Sequence, residues 1–213
     1  MTQHDDRRPR RRHFSMIRSF HLADVFTLMN AFLGAGAVLS FMRFVADRHS
    51  MYFWLGAALL PVALVMDSLD GRIARRRGVA SPLGQELDSL ADIVSFGVAP
   101  ATMAFAAGLR GGWDALFLIY FVGCGISRLA RYNVGASAAA AELTKVTHFE
   151  GFPIPSSLLL VAGLAALAAT GRWQNDLPLG VISLAGLTLH PLAVVFGIHG
   201  SLMISKTVRL PKP

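Results

Sequence analysis

Six stretches of this chain carry no Asp, Glu, Lys or Arg: residues 25–42, 50–66, 93–109, 115–127, 151–171 and 177–205. They are solidly apolar and rich in Ala and Leu, with none of the alternation expected of a strand with one wet face. A hydrocarbon core about 30 Å thick takes about 20 mostly apolar helical residues. Extending each run by a few residues predicts six spans, near 23–45, 51–74, 85–108, 114–133, 153–171 and 179–205. The expected fold class is therefore all-α: a polytopic membrane protein with six transmembrane helices occupying 23–205. A basic segment, 1–22, precedes them and a short tail, 206–213, follows. Within 7–21 the arginines mix with Phe14, Met16, Ile17 and Phe20, which suits either a short interfacial helix or a basic tail. A cleavable signal peptide fits poorly, because the first span is too long and no small-residue cleavage site stands out. No linker or internal repeat divides the chain into further domains.

Composition supports the same class. Of 213 residues, 54% are hydrophobic and 15% charged, with a mean hydropathy of +0.50. A water-soluble domain carries about 25% charged residues, so this chain cannot coat a soluble surface. The lone Cys124 excludes an internal disulfide. Net charge is +7, and its distribution is more informative than its size. Arg7, Arg8, Arg10, Arg11, Arg12 and Arg18 precede the first span, and Arg72, Arg75, Arg76 and Arg77 fill the second connection. Arg128, Arg131 and Lys145 surround the fourth, and Lys206, Arg209 and Lys212 close the chain. The remaining connections hold Arg48, Arg110 and Arg172, each near Asp47, Asp114 or Asp176. This positive-inside bias places both termini in the cytoplasm, in the inner membrane. The basic excess is thus topological, with a further attraction for anionic headgroups, and nucleic acid is not required as a partner.

Four aspartates, Asp67, Asp70, Asp88 and Asp92, fall within 26 residues at the end of the second span and the start of the third. An ionisable residue in a bilayer is costly, and clustered carboxylates also repel, so something cationic is needed to hold them. Asp67 and Asp70 are spaced i,i+3, and Asp88 and Asp92 i,i+4, so each pair shares a helix face. The connection between them is short and contains Pro82, which predicts antiparallel neighbours with both pairs at similar depth. Carboxylate donors without nearby His or Cys suit a hard cation, Mg²⁺ or Mn²⁺ and also Ca²⁺, better than zinc or copper. Such ions commonly bridge carboxylates to phosphate or pyrophosphate. Gly71, Ala74 and Gly84 lie alongside and allow close backbone approach; Arg72 and Arg75–Arg77 supply cations at the mouth. The competing structural reading is a helical hairpin in which these arginines simply pair with the aspartates.

The segment from 67 to 92, DSLDGRIARRRGVASPLGQELDSLAD, matches D-x2-D-G-x2-A-R-x8-G-x3-D-x3-D without a break. In this it resembles the CDP-alcohol phosphotransferases, membrane enzymes that displace CMP from a CDP-linked alcohol with a second alcohol. The resemblance implies that Asp67, Asp70 and Asp88 hold the divalent metal with Asp92 beside them. It also implies that Asp92 acts as general base on the incoming hydroxyl, and that Gly71, Ala74, Arg75 and Gly84 line the nucleotide and diphosphate pocket. Thr27 and Asn30 resemble polar positions that complete the nucleotide site; helix–helix hydrogen bonding is the alternative for both. Related enzymes suggest a homodimer, for which small residues such as Gly34 and Gly36 would permit close packing.

The flanking stretches LDSLADIVSFGVAPA, SRLARYN and HFEGFPIPSS resemble the phosphatidylserine synthase branch, with Tyr132 and Phe152 as mild departures. That branch implies CDP-diacylglycerol as donor, L-serine as acceptor, and phosphatidylserine and CMP as products. Serine brings a carboxylate and an ammonium as well as its hydroxyl. Arg128 or Arg131 can clamp the carboxylate in bidentate fashion, with Glu150 or the Asn133 oxygen receiving the ammonium. The arginines can equally neutralise the diphosphate or anchor their helix at the headgroups. Glycerol 3-phosphate and inositol phosphate are the alternative acceptors. A membrane prenyltransferase and a divalent-cation transporter are the remote ones, disfavoured because both acidic pairs fall on one hairpin and no inverted repeat is evident. His190 and His199 read as buried, satisfied histidines, and His148 as a loop residue near the interface.

Overall fold

The computed structural model describes residues 22–77, 82–142, 148–205 and 209–211. The basic segment before residue 22, the stretch 143–147 and most of the tail lie outside them. The chain opens with two long antiparallel helices, α1 (Leu22–Asp47) and α2 (Ser50–Arg77). The reversal takes only Arg48 and His49, with Arg48 at φ 55°. An Arg43–Asp47 ion pair at 2.9 Å ends α1. The third rod begins as α3 (Pro82–Asp92), its proline at the first turn where the missing N–H costs nothing. It widens into a π-helical turn over Ile93–Val98 and continues as α4 (Ala99–Ala107). Next come α5 (Gly112–Glu142), a strand β1 (His148–Glu150) and α6 (Leu158–Ala169), the last entered through a 3₁₀ turn over Ile154–Ser157. The strands β2 (Ile182–Leu184) and β3 (Leu187–Leu189), the helix α7 (Pro191–Ile204) and the strand β4 (Arg209–Pro211) complete the order.

Among the described residues, four helical segments are long and apolar enough to cross a membrane: Asp24–Asp47, Ser50–Ile73, Leu83–Ala107 and Gly112–Gly135. The third is the centre of the bundle, with 61% of its apolar window buried against 28–33% for the others. It packs on α1 and α5, while α5 also runs along α7. Aromatic rings fill the end remote from the aspartates. Phe44 stacks on Trp173 at 5.3 Å, and Phe53 sits edge-on to both. Outward-facing Phe32, Leu39, Ile119 and Leu159 are each at least 65% exposed, which in water would be a liability and in lipid is an ordinary surface.

The last two predicted spans are helical over less of their length than the sequence suggests. Helix α6 has 12 residues and α7 has 14, roughly 18 and 21 Å at 1.5 Å per residue. Each is shorter than the hydrocarbon core. The predicted span 179–205 is helical only from Pro191; its first part is the exposed hairpin β2–β3, paired Ile182 with Leu189 and Leu184 with Leu187. Ala185 and Gly186 both take positive φ, 51° and 77°, as a two-residue hairpin turn with the right twist requires. An apolar run cannot separate strand from helix by itself. Here Gly180, Gly186 and the β-branched Val181, Ile182 and Thr188 tip the balance.

What fixes the start of α7 is Asp114, which is fully buried. Its carboxylate accepts the backbone N–H groups of Gly111 and His190, each at 2.7 Å, and faces His190 Nδ1 at 2.6 Å. Trp113 Nε1 donates to the Leu184 carbonyl at 2.9 Å, pinning the hairpin to the same place. An Asp114→Ala variant leaves these donors stranded, and a loss of roughly 2–4 kcal/mol is expected. The check is the thermal unfolding midpoint in mild detergent, which should fall well below that of a Trp113→Phe control.

Candidate active site

The acidic site forms where α2 ends and α3 begins. Carboxylate oxygens of Asp67, Asp70 and Asp88 lie within 4.8 Å of one another, so the short connection does bring the two helix faces together at one depth. Asp92 stands one turn further along α3, close enough to Asp67 for their carboxyls to share a hydrogen bond. Asp70 and Asp92 are buried, at 5% and 8% exposure, while Asp67 and Asp88 are half-buried. Asp88 Oδ1 is buried without a hydrogen-bond partner.

Helix α1 supplies the polar backing. Thr27 Oγ1 donates to Asp70 Oδ2 at 2.9 Å, and Asn30 Nδ2 to Asp92 Oδ1 at 3.3 Å. Helix α5 brings the Arg128 guanidinium within electrostatic reach of Asp92. Arg128 Nε is buried and has no hydrogen-bond partner. The cluster therefore presents oxygen donors, one half-buried cation and unspent polar atoms around a shared point. It can hold a hard cation and an anionic group side by side.

The remaining residues separate by position. Gly71 follows Asp70 on α2 and Gly84 lies one turn before Asp88 on α3, both half-buried. Ala74 and Arg75 continue α2, but their side chains lie outside the described residues. Arg131 is exposed and donates from its guanidinium to the Ile204 carbonyl at 3.1 Å, capping α7. Glu150 sits on β1 opposite Arg209 of β4, again with a side chain outside the described residues. Asn133 does not offer a free oxygen: Oδ1 accepts from Ser89 Oγ at 3.2 Å and Gln85 Nε2 at 3.4 Å. Its amide donates to Glu86 Oε2 and Ser89 Oγ. Sequence reasoning missed Gln85, Glu86 and Ser89. Their signal was the group of polar residues flanking Asp88 in an otherwise apolar rod.

Residues 20–199 match the sequence profile of the CDP-alcohol phosphatidyltransferase family. The chain belongs to that family. It is 43% identical over 204 residues to the CDP-diacylglycerol–serine O-phosphatidyltransferase of Saccharomyces cerevisiae, covering 94% of this chain and 74% of the relative. Relatives of the same name from Mycobacterium leprae and Methanocaldococcus jannaschii are 43% and 33% identical. The chain spans 47% and 65% of their lengths, and the matches cover 65% and 72% of this chain. Membership gives the acidic cluster its context. The aspartate spacing that carries the resemblance is also the set of residues the fold draws into one cluster, so in this CDP-alcohol phosphatidyltransferase motif and geometry coincide.

Proposed function

We propose that the protein transfers the phosphatidyl group of CDP-diacylglycerol to the hydroxyl of L-serine, releasing phosphatidylserine and CMP. The observation that carries this reading is the meeting of Asp67, Asp70 and Asp88 oxygens within 4.8 Å, with Asp92 alongside, in a bundle with membrane-length helices. The names of the relatives support serine as the acceptor.

A divalent cation, Mg²⁺ or Mn²⁺, fits the residues present. All donors are carboxylate oxygens, and the unpartnered Asp88 Oδ1 is an atom whose burial makes sense if a cation shares it. Asp67, Asp70 and Asp88 would hold it; when bound, it offsets negative charge on the diphosphate. The chain's own residues do the rest. Asp92 takes the proton as the serine oxygen attacks the phosphorus that carries diacylglycerol. The new P–O bond forms as the bond to the bridging oxygen breaks, and that oxygen leaves with the electron pair on CMP. Gly71 and Gly84 leave room for the nucleotide and diphosphate, and Ala74 and Arg75, which follow on α2, are the further candidates for that pocket.

For the serine carboxylate, Arg128 is the better clamp. It faces Asp92, beside the attacking hydroxyl, and its Nε is unspent, whereas Arg131 is engaged at Ile204. Arg128→Ala is expected to raise the serine KM by roughly 10–100-fold, as expected for losing a charge-assisted contact of about 1.5–3 kcal/mol. Arg131→Ala should change it little. Initial rates against serine concentration check both, and equal effects would remove Arg128 from this role. Glu150 is the remaining candidate for the ammonium.

The same reading takes α6 and α7, with their flanking turns, as the fifth and sixth membrane crossings. It also places the aspartate end and both termini at the cytoplasmic face of the inner membrane. A homodimer belongs to it too. Its seam would not use Gly34 or Gly36, because Ser95 and Leu59 of the same chain already lie against them; mass in mild detergent tests the assembly. The deciding assay is CMP release from CDP-diacylglycerol with serine, glycerol 3-phosphate or inositol phosphate, each with and without a chelator. Release with serine that is lost on chelation supports the proposal, and release only with another acceptor replaces serine.

A further inference from the structure

Three costly features, two on α1 and one on the central rod, meet within one turn of Asp92. Asn30 is completely buried in α1, with Oδ1 left without a partner while Nδ2 donates to Asp92 Oδ1. An apolar residue there would avoid the cost of stranding a buried acceptor. Directly after Asp92 the helix abandons its regular ladder for the π turn Ile93–Val98, a form that is rare and mostly found at functional positions. One turn along α1 from Asn30 stands Gly34, against the fully buried Ser95.

These features interlock. Ser95 Oγ donates to the Asn30 carbonyl at 2.9 Å. A Cβ built on Gly34 would fall 2.8 Å from Ser95 Cα and 3.0 Å from Ser95 Cβ, and would also collide with its Oγ. Only a glycine lets the π turn come this close. Asn30 and Gly34 are i,i+4 on α1, and Asp92 and Ser95 are i,i+3 on the third rod, so one face of each helix grips the other at two points. At 0% exposure Asn30 has no surface to offer a nucleotide.

We infer that Asn30, Gly34 and Ser95 form a clasp between α1 and the π turn that positions the Asp92 carboxyl towards the acceptor hydroxyl. They are positioning residues, acting through Asp92, and the inference rests on the reading of Asp92 as the base. The clasp also accounts for the π turn: the wider turn carries Ser95 onto the Asn30 carbonyl while Asp92 stays beside Asn30.

The experiment compares Asn30→Ala and Ser95→Ala with the wild type in full-length protein, using CMP release with serine and backbone amide hydrogen exchange. Both variants should lose roughly 10–100-fold in kcat, the usual effect of removing a residue that orients a catalytic group. KM for CDP-diacylglycerol and for serine should stay within about threefold. Exchange of the amides in 92–98 should accelerate in both. A raised KM for CDP-diacylglycerol with kcat intact would make Asn30 a nucleotide contact and overturn the clasp, as would an unchanged kcat. If Asn30→Ala does not fold, Ser95→Ala decides, since it removes a single hydroxyl. A wild type that turns over no serine refutes the transfer reading alone. The exchange data then still decide the clasp, and unchanged protection of 92–98 in both variants ends it.

Discussion

Asp92→Asn is expected to lower kcat for CMP release by roughly 10²–10⁴-fold, the range that a positioned general base contributes. The amide has the same shape as the carboxyl, so the packing of the third rod should survive. It cannot accept the proton of the serine hydroxyl, and that loss should appear only in the chemical step. CDP-diacylglycerol binding should remain close to wild type, because Asp92 lies outside the trio whose oxygens converge within 4.8 Å. Raising the metal concentration should not restore the rate. Steady-state kinetics at saturating metal, together with direct measurement of CMP binding, check each part. A variant that turns over near the wild-type rate would remove Asp92 from the base role. Recovery at high metal would instead make it a fourth ligand.

The convergence of the aspartates could be read from the chain because each step is local. Spacings of i,i+3 and i,i+4 fix a helix face, and a connection of a few residues with Pro82 leaves only an antiparallel neighbour. Thr27 and Asn30 were legible as polar residues on a helix facing the site, but not as partners of particular carboxylates. Choosing Asp70 for one and Asp92 for the other requires the depth at which α1 crosses α3, and that is set by the Gly34–Ser95 contact across 61 positions of sequence. Gly34 itself reads as a packing surface in sequence, and only the fold shows that its neighbour is in the same chain. Asn133 illustrates the same gap: its helix position was readable, its engagement with Ser89, Gln85 and Glu86 was not. The β2–β3 hairpin escaped for a different reason. A charge-free run carries no periodicity to separate strand from helix, and the turn depends on Ala185 adopting a backbone conformation that no local rule predicts for alanine.

Asp88→Asn tests the other half of the site and should fail in a different way. Asp88 contributes one of the three converging carboxylates, and its Oδ1 is a buried oxygen left without a hydrogen-bond partner. Replacing the carboxylate by an amide removes one negative charge from a donor set that holds a hard cation by charge as much as by number. The concentration of Mg²⁺ or Mn²⁺ at half-maximal activity should rise by at least about 100-fold, a larger effect than that of losing a residue behind the ligands. Unlike Asp92→Asn, this variant should regain part of its rate as metal is added. Manganese binding followed by electron paramagnetic resonance, with no substrate present, should weaken in parallel. If Asp88→Asn binds manganese as the wild type does, the three carboxylates are not a metal site, and the chemistry assigned to them falls. If binding weakens while the rate stays unchanged, the cation is structural, and charge compensation at the diphosphate must come from Arg128 and the arginines that follow Asp70.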